Sequence, residues 1–219
     1  MKPGSVLPIS ITCVLLSALA ACGGGGGSSS PPVASPAPPA TPGNPPPTGP
    51  AIPALAQTYT AISSAAVTSQ RNWPAWNQAG SAVIGGIGCA RNENYHVHTL
   101  LSIYRNGVRL ASPDSIGRGG GCTYELHTHD GAGVIHVETD VPKTFTLGQW
   151  FTLWGQPLGT DAVAGLAGPV SYYVIENETI TRYTGNPADI VLAGRKEIVI
   201  ITGAPPAELP RYNWASSGL

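Results

Sequence analysis

Only five histidines occur in this chain of 219 residues, at positions 96, 98, 127, 129 and 136. Four of them form two His-x-His pairs, in "YHVHTLL" and "LHTHDGAGVIHVE". Alternate residues of an extended strand project to the same side, so each pair aims two imidazoles in one direction. Neutral imidazole presents a ring-nitrogen lone pair and is the commonest protein ligand for a transition metal. Two such pairs with a further histidine nearby therefore read as a metal-ligating face.

The strands that must carry these side chains are legible. "TYELHTHDGAGVIHVE" turns through Asp130 to Gly133. A symmetric register sets His129 opposite Val134, His127 opposite His136 and Glu125 opposite Glu138, and directly opposed residues share a face. The other face carries Tyr124, Leu126, Ile135 and Val137. Upstream, Asn106-Gly107 is a strong two-residue hairpin signal between alternating runs. Along its first strand Val97, Thr99, Leu101 and Ile103 share one side, and His96 and His98 take the other.

The expected ligands are His96, His98 and either His136 or His127, with His129 at the turn as a further candidate. Glu125, Glu138 and Asp130 are candidates for outer partners of the ligands or for a general base. Asp130 is equally well placed to form an Asx-type turn before Gly131. The chain's single methionine is Met1, so thioether ligands are absent from the mature protein. Imidazole with optional carboxylate suits copper(II) or zinc, and the affinity order favours copper. One transition-metal ion is the expected cofactor. Its affinity should fall as pH drops through about 6.5, the ordinary histidine value.

Net charge is −1 and Lys/Arg are scattered, which excludes the basic face that nucleic acid requires. Residues 1–21 combine Lys2 with the apolar "ITCVLLSALA", a run too short to span a bilayer, and read as a signal peptide. "LAAC" resembles a bacterial lipoprotein signal, which implies lipidation of Cys22; Gly23 after it implies sorting to the outer membrane, facing the periplasm or the surface. Residues 22–56 are rich in Gly, Ser and Pro and read as an extended tether. The globular domain is expected over 57–219, its segment 57–92 being the hardest to assign. In an oxidising compartment Cys89 and Cys122 are expected to form a disulfide; a thiolate metal pair lacks the support of a CxxC spacing.

Further along, "FTLGQWFTLWG" places Leu147, Trp150, Phe151 and Trp154 on one helical face, with Thr146 as N-cap and Gly155 as stop. Strand-like runs "VSYYVIE", "TITRY" and "KEIVIITG" follow. Hairpin, helix, then strands ending in a hydrophobic one resembles the ubiquitin-like β-grasp. The expected fold is α+β, with the His96 hairpin joined to or packed beside that sheet. An all-β sandwich with an incidental helix is the alternative.

"YHVHTLL" is superficially similar to the first cupin motif, but Leu101, Ser102 and Ile103 occupy the place of its glutamate and the second motif is missing. The set "GIGC…E…YHVHTLLSIYRNG", "LHTHDGAGVIHVE" and "FTLGQWFTLWG" resembles motifs that travel together in uncharacterised secreted bacterial and archaeal proteins, over roughly residues 86 to 203. That resemblance implies secretion and a shared outline but no activity. The residues themselves point to a metal-binding lipoprotein for binding, delivery or protection, with a metal donor or acceptor protein as its partner. The rivals are a metal-dependent hydrolase or hydratase using Glu125, Glu138 or Asp130 as base, and a structural or partner-binding surface module.

Overall fold

A computed structural model describes residues 51–62, 72–78 and 80–219. The expected signal peptide, Cys22 and nearly all of the tether lie outside the described residues. The first strands are β1 (Ala54–Thr60), β2 (Tyr95–Arg105) and β3 (Val108–Leu110), followed by β4 (Arg118–Gly119), β5 (Cys122–Thr123), β6 (Leu126–His127) and β7 (Val134–Thr139). After them come β8 (Phe145–Thr146), the helix α1 (Leu147–Trp154), β9 (Ala162–Val163) and β10 (Leu166–Ala167). The last strands are β11 (Val170–Glu176), β12 (Thr179–Tyr183), β13 (Val191–Leu192), β14 (Lys196–Thr202) and β15 (Glu208–Tyr212). Among the described residues, one α-helix with mostly strands is common ground between the α+β expectation and its all-β alternative. The folded unit starts inside the segment assigned to the tether, since Ala54 already pairs with Glu208.

The main sheet runs β12-β11-β14-β2-β7-β6, with β3 also on β2. Its central pair, β2 and β14, is parallel, and the other ladders are antiparallel. The His96 strand is therefore the middle of the sheet and not an addition to its margin. β2 is long enough to use one edge twice: its N-terminal half pairs with β7 and its C-terminal end with β3. The β2–β3 turn is at Asn106 and Gly107, with φ of 49° and 80°, the doubly left-handed conformation that a two-residue hairpin demands.

Side-chain parity along β2 separates two chemistries. Leu101 and Ile103 join Ile135 and Val137 of β7 and Ile198 and Ile200 of β14 beneath α1. The helix forms for the reasons its sequence shows. The Thr146 hydroxyl accepts the Gln149 N–H while the Gln149 side chain accepts the Thr146 N–H, and Gly155 closes the last turn at φ 75°. Its buried Trp150, Phe151 and Trp154 each contribute on the order of 2 kcal/mol by leaving water.

The opposite face, read from sequence as polar, is polar over only half its length. Beyond His98 the same side of β2 continues with buried Leu100, Ser102 and Tyr104. The β1–β15 pair lies over it, through Leu209 on Tyr104, Tyr173 and Val199, and Tyr212 on Leu100 and Val134. The histidines occupy the end that this second layer leaves uncovered.

Gly133 sits where β7 begins to pair with β2. Its carbonyl accepts the Leu101 N–H, its φ is 84°, and a Cβ there would lie 2.2 Å from the Leu101 carbonyl oxygen. Gly133→Ala should cost more than about 1 kcal/mol, through strain and a clash that only backbone movement relieves. The midpoint of chemical denaturation should move accordingly, and an unchanged midpoint would contradict this packing.

Candidate metal centre

The β2–β7 ladder places His98 directly opposite His136 and His96 opposite Glu138. β6 adds His127 opposite His136. Two adjacent registers thus deliver His96, His98, His127, His136 and Glu138 to one patch. His129 arrives by another route. The ladder stops at His127, because Thr128 turns aside: its N–H bonds the Ile116 carbonyl and its hydroxyl accepts the Ile116 N–H. His129 consequently does not pair with Val134. Its ring nevertheless folds back over His136, with centroids 4.3 Å apart.

The ring nitrogens are crowded. His136 Nδ1 lies 3.2 Å from His96 Nε2 and 3.1 Å from His98 Nε2. His127 Nε2 and His129 Nε2 are 3.2 Å apart. Glu138 Oε1 stands 3.1 Å from His96 Nε2, 3.3 Å from His136 Nδ1 and 3.4 Å from His127 Nε2. A neutral imidazole has one donor and one acceptor, so hydrogen bonds among these groups satisfy only part of the contacts. A tetrahedron of ligands at metal–nitrogen distances of 2.0–2.1 Å has edges of about 3.3 Å. The observed separations match that spacing, and this buried histidine/glutamate cluster could hold a metal ion.

The surroundings prepare the lone pairs. The Nδ1–H of His127 donates to the Tyr124 carbonyl at 2.9 Å, which leaves Nε2 as the free acceptor facing the cluster. Burial, reinforced by the charges of His96 and His129, depresses His98 to about 4. Burial likewise lowers His127 to about 4, against the raising effect of the Tyr124 carbonyl. His136, buried among the other four rings, falls to about 2. These three imidazoles stay unprotonated well below the ordinary histidine value. Proton competition at them consequently sets in nearer pH 4 than the 6.5 expected from sequence. Burial raises Glu138 above the usual carboxylate range, and the nearby His96 pulls it partly back.

The other two carboxylates expected near the site are elsewhere. The chain bends at Glu125, whose side chain binds the Lys143 ammonium at 2.7 Å and accepts the Gly88 N–H at 2.9 Å. Asp130 accepts the Ala132 N–H at 2.9 Å, the Asx-turn role. Glu93 was not anticipated. It reaches within 3.8 Å of His96 Nδ1, three residues upstream, and its position before a strand gives no periodic signal. Glu93, Arg91, Asn92 and Arg118 line a basin of about 220 Å³ with His127, His129 and Glu138. The cluster is therefore reachable from solvent, with two guanidinium groups at its mouth.

Cys89 and Cys122 form a disulfide, with Cα atoms 5.5 Å apart. Around it Ala90 donates to the Thr123 carbonyl, so the bridge fixes the 89–93 wall of the basin to the strand that leads into His127. Comparison with known proteins finds no matching family model, no matching curated protein and no matching solved structure. Geometry alone carries the functional reading.

Two outcomes follow from this site. Closing a 33-residue loop should contribute roughly 3 to 4 kcal/mol on the chain-entropy model, so reduction should lower the denaturation midpoint, and labelling of the unfolded, unreduced protein should find neither Cys89 nor Cys122 reactive. Acid should also weaken the metal-free fold. Between about pH 6.5 and 4 the unfolded chain protonates imidazoles that the fold keeps neutral, so stability falls with pH there. Glu138 and Glu197, both raised by burial, act in the opposite sense. The His136→Gln variant should accordingly lose less melting temperature than the wild type between pH 7 and pH 5 in chelator; equal losses would contradict the depressed His136.

Proposed function

We propose that this protein binds copper(II) or zinc on its histidine face, as an exported lipoprotein that holds the metal for binding, delivery or protection. The observation that carries the reading is the convergence of imidazole nitrogens and one carboxylate oxygen at 3.1–3.4 Å. The donor set of nitrogen and a single oxygen suits either metal, and copper has the greater intrinsic affinity for it. Access through the basin suits exchange with a donor or acceptor protein, whereas purely structural zinc sites are closed.

A binding role is favoured over a hydrolase by what the carboxylates do. Glu125 is held by Lys143, Asp130 caps its own turn, and Glu138 stands among the ligands. None of the three is left as a free general base beside an open coordination position. We read the scaffold as grasp-like, on the strength of its parallel central pair β2 and β14 with a helix packed across one face. Lipid anchoring at Cys22 rests on "LAAC", and the Cys89–Cys122 disulfide accords with an oxidising compartment.

Titration of untagged protein with copper(II) and with zinc tests the metal reading. Wild type should bind at least one of them far below the millimolar range, and His98→Ala and His136→Ala should each weaken binding by more than about 10-fold, the lower scale for loss of an outer partner alone. Equally tight, equally stoichiometric binding by both folded variants would refute it. Separately, Cys22→Ser should release the protein from the membrane fraction, and its continued tight association would rule out the lipid anchor.

A further inference from the structure

The donors are too many, and too widely spread, for one ion. Copper(II) and zinc take about four strong ligands, and donors 2.0–2.1 Å from a common centre cannot lie more than about 4.2 Å apart. Here five imidazoles and Glu138 crowd together, and two of the three possible donor sets account for all of them, the third (Glu93 with His96 and Glu138) adding no further histidine. His96, His98 and His136 form one, and His127, His129, His136 and Glu138 the other, with atoms mutually within 4.8 Å in each. The sets come from different elements. The first lies on the β2–β7 ladder, where His136 Nδ1 is 3.1–3.2 Å from both β2 histidines. The second is built where the chain leaves β6, around the 3.2 Å contact of His127 Nε2 with His129 Nε2. Glu138 belongs to both neighbourhoods, with Oε1 3.1 Å from His96 Nε2 and 3.4 Å from His127 Nε2.

Building on the metal-binding reading, we infer that the cluster holds two ions side by side: one on His96, His98 and His136, the other on His127 and His129, with the Glu138 carboxylate bridging them. A carboxylate has two oxygens and spans neighbouring ions in two-metal sites about 3.5–4 Å apart. The two positions differ in kind. The first has three imidazoles. The second has two and faces the basin of Arg91, Asn92 and Arg118, so its remaining coordination is open to solvent or to an anionic ligand. This replaces the single ion expected from sequence with a tight position and a more exchangeable one.

Copper(II) added stepwise to the metal-free, full-length protein decides it, followed by elemental analysis after gel filtration and by electron paramagnetic resonance. Two equivalents should bind in distinguishable steps. The integrated spin signal should rise over the first equivalent and fall below two spins per chain over the second, because a shared carboxylate couples the ions. His129→Ala should retain one equivalent and lose the second, His98→Ala should weaken the first step by at least about 10-fold, and Glu138→Gln should restore uncoupled spins. A single equivalent in wild type, or a second one that survives unchanged in His129→Ala, overturns the two-ion inference and leaves the metal-binding reading standing. No binding at all overturns both.

Discussion

The core of the histidine face, His96, His98, His136 and Glu138, depends on the register between β2 and β7. The pairs Val97↔Val137 and Thr99↔Ile135 face α1, and His96↔Glu138 and His98↔His136 face away. A slip of one residue would turn the histidines of one strand into the core beneath the helix and expose its valine and isoleucine. Apolar burial on one side thus fixes the ligand geometry on the other. The site needs no separate device to align its two strands, because the free energy that closes the core already specifies their pairing.

Concentrating imidazoles in this way has an energetic cost that the fold bears in the absence of metal. His127 is fully buried and His136 partly so, and burial with mutual repulsion keeps them neutral. The surrounding structure is correspondingly tied down. The disulfide anchors one wall, Thr128 locks the exit of β6 to Ile116, and Gly117 approaches so closely that a Cβ there would lie 2.3 Å from the Leu126 carbonyl oxygen. A bound cation would replace the missing protons as the positive charge that these lone pairs and Glu138 share. Ligands held in place before binding lose little further entropy when the metal arrives.

Local signals in the sequence carried much of this. The Asn106-Gly107 turn, the Thr146 N-cap, the Gly155 stop and the opposition of His127 and His136 all follow from short-range rules, and the structure shows each of them. What escaped is non-local or irregular. Which strand lies beside β2 is settled by β14, about a hundred residues away and parallel to it, and nothing in "KEIVIITG" names its neighbour. Leu100 and Tyr104, on the same side of β2 as the histidines, mark where the β1–β15 pair covers the sheet. Alternation placed Glu125 beside Glu138, and a bend at that residue sent its side chain to Lys143 instead. His129 reached the cluster although its predicted pairing with Val134 is absent, because loop closure substitutes for register.

The central claim is that imidazole nitrogens of this cluster ligate a transition metal. X-ray absorption at the metal edge of the copper- or zinc-loaded protein tests it most directly. The account predicts a first shell dominated by nitrogen at about 2.0–2.1 Å, with the outer-shell scattering of several imidazole rings, diminished in His98→Ala and in His136→Ala. A first shell of water and carboxylate oxygen without imidazole scattering, or a spectrum that neither substitution changes, would contradict it.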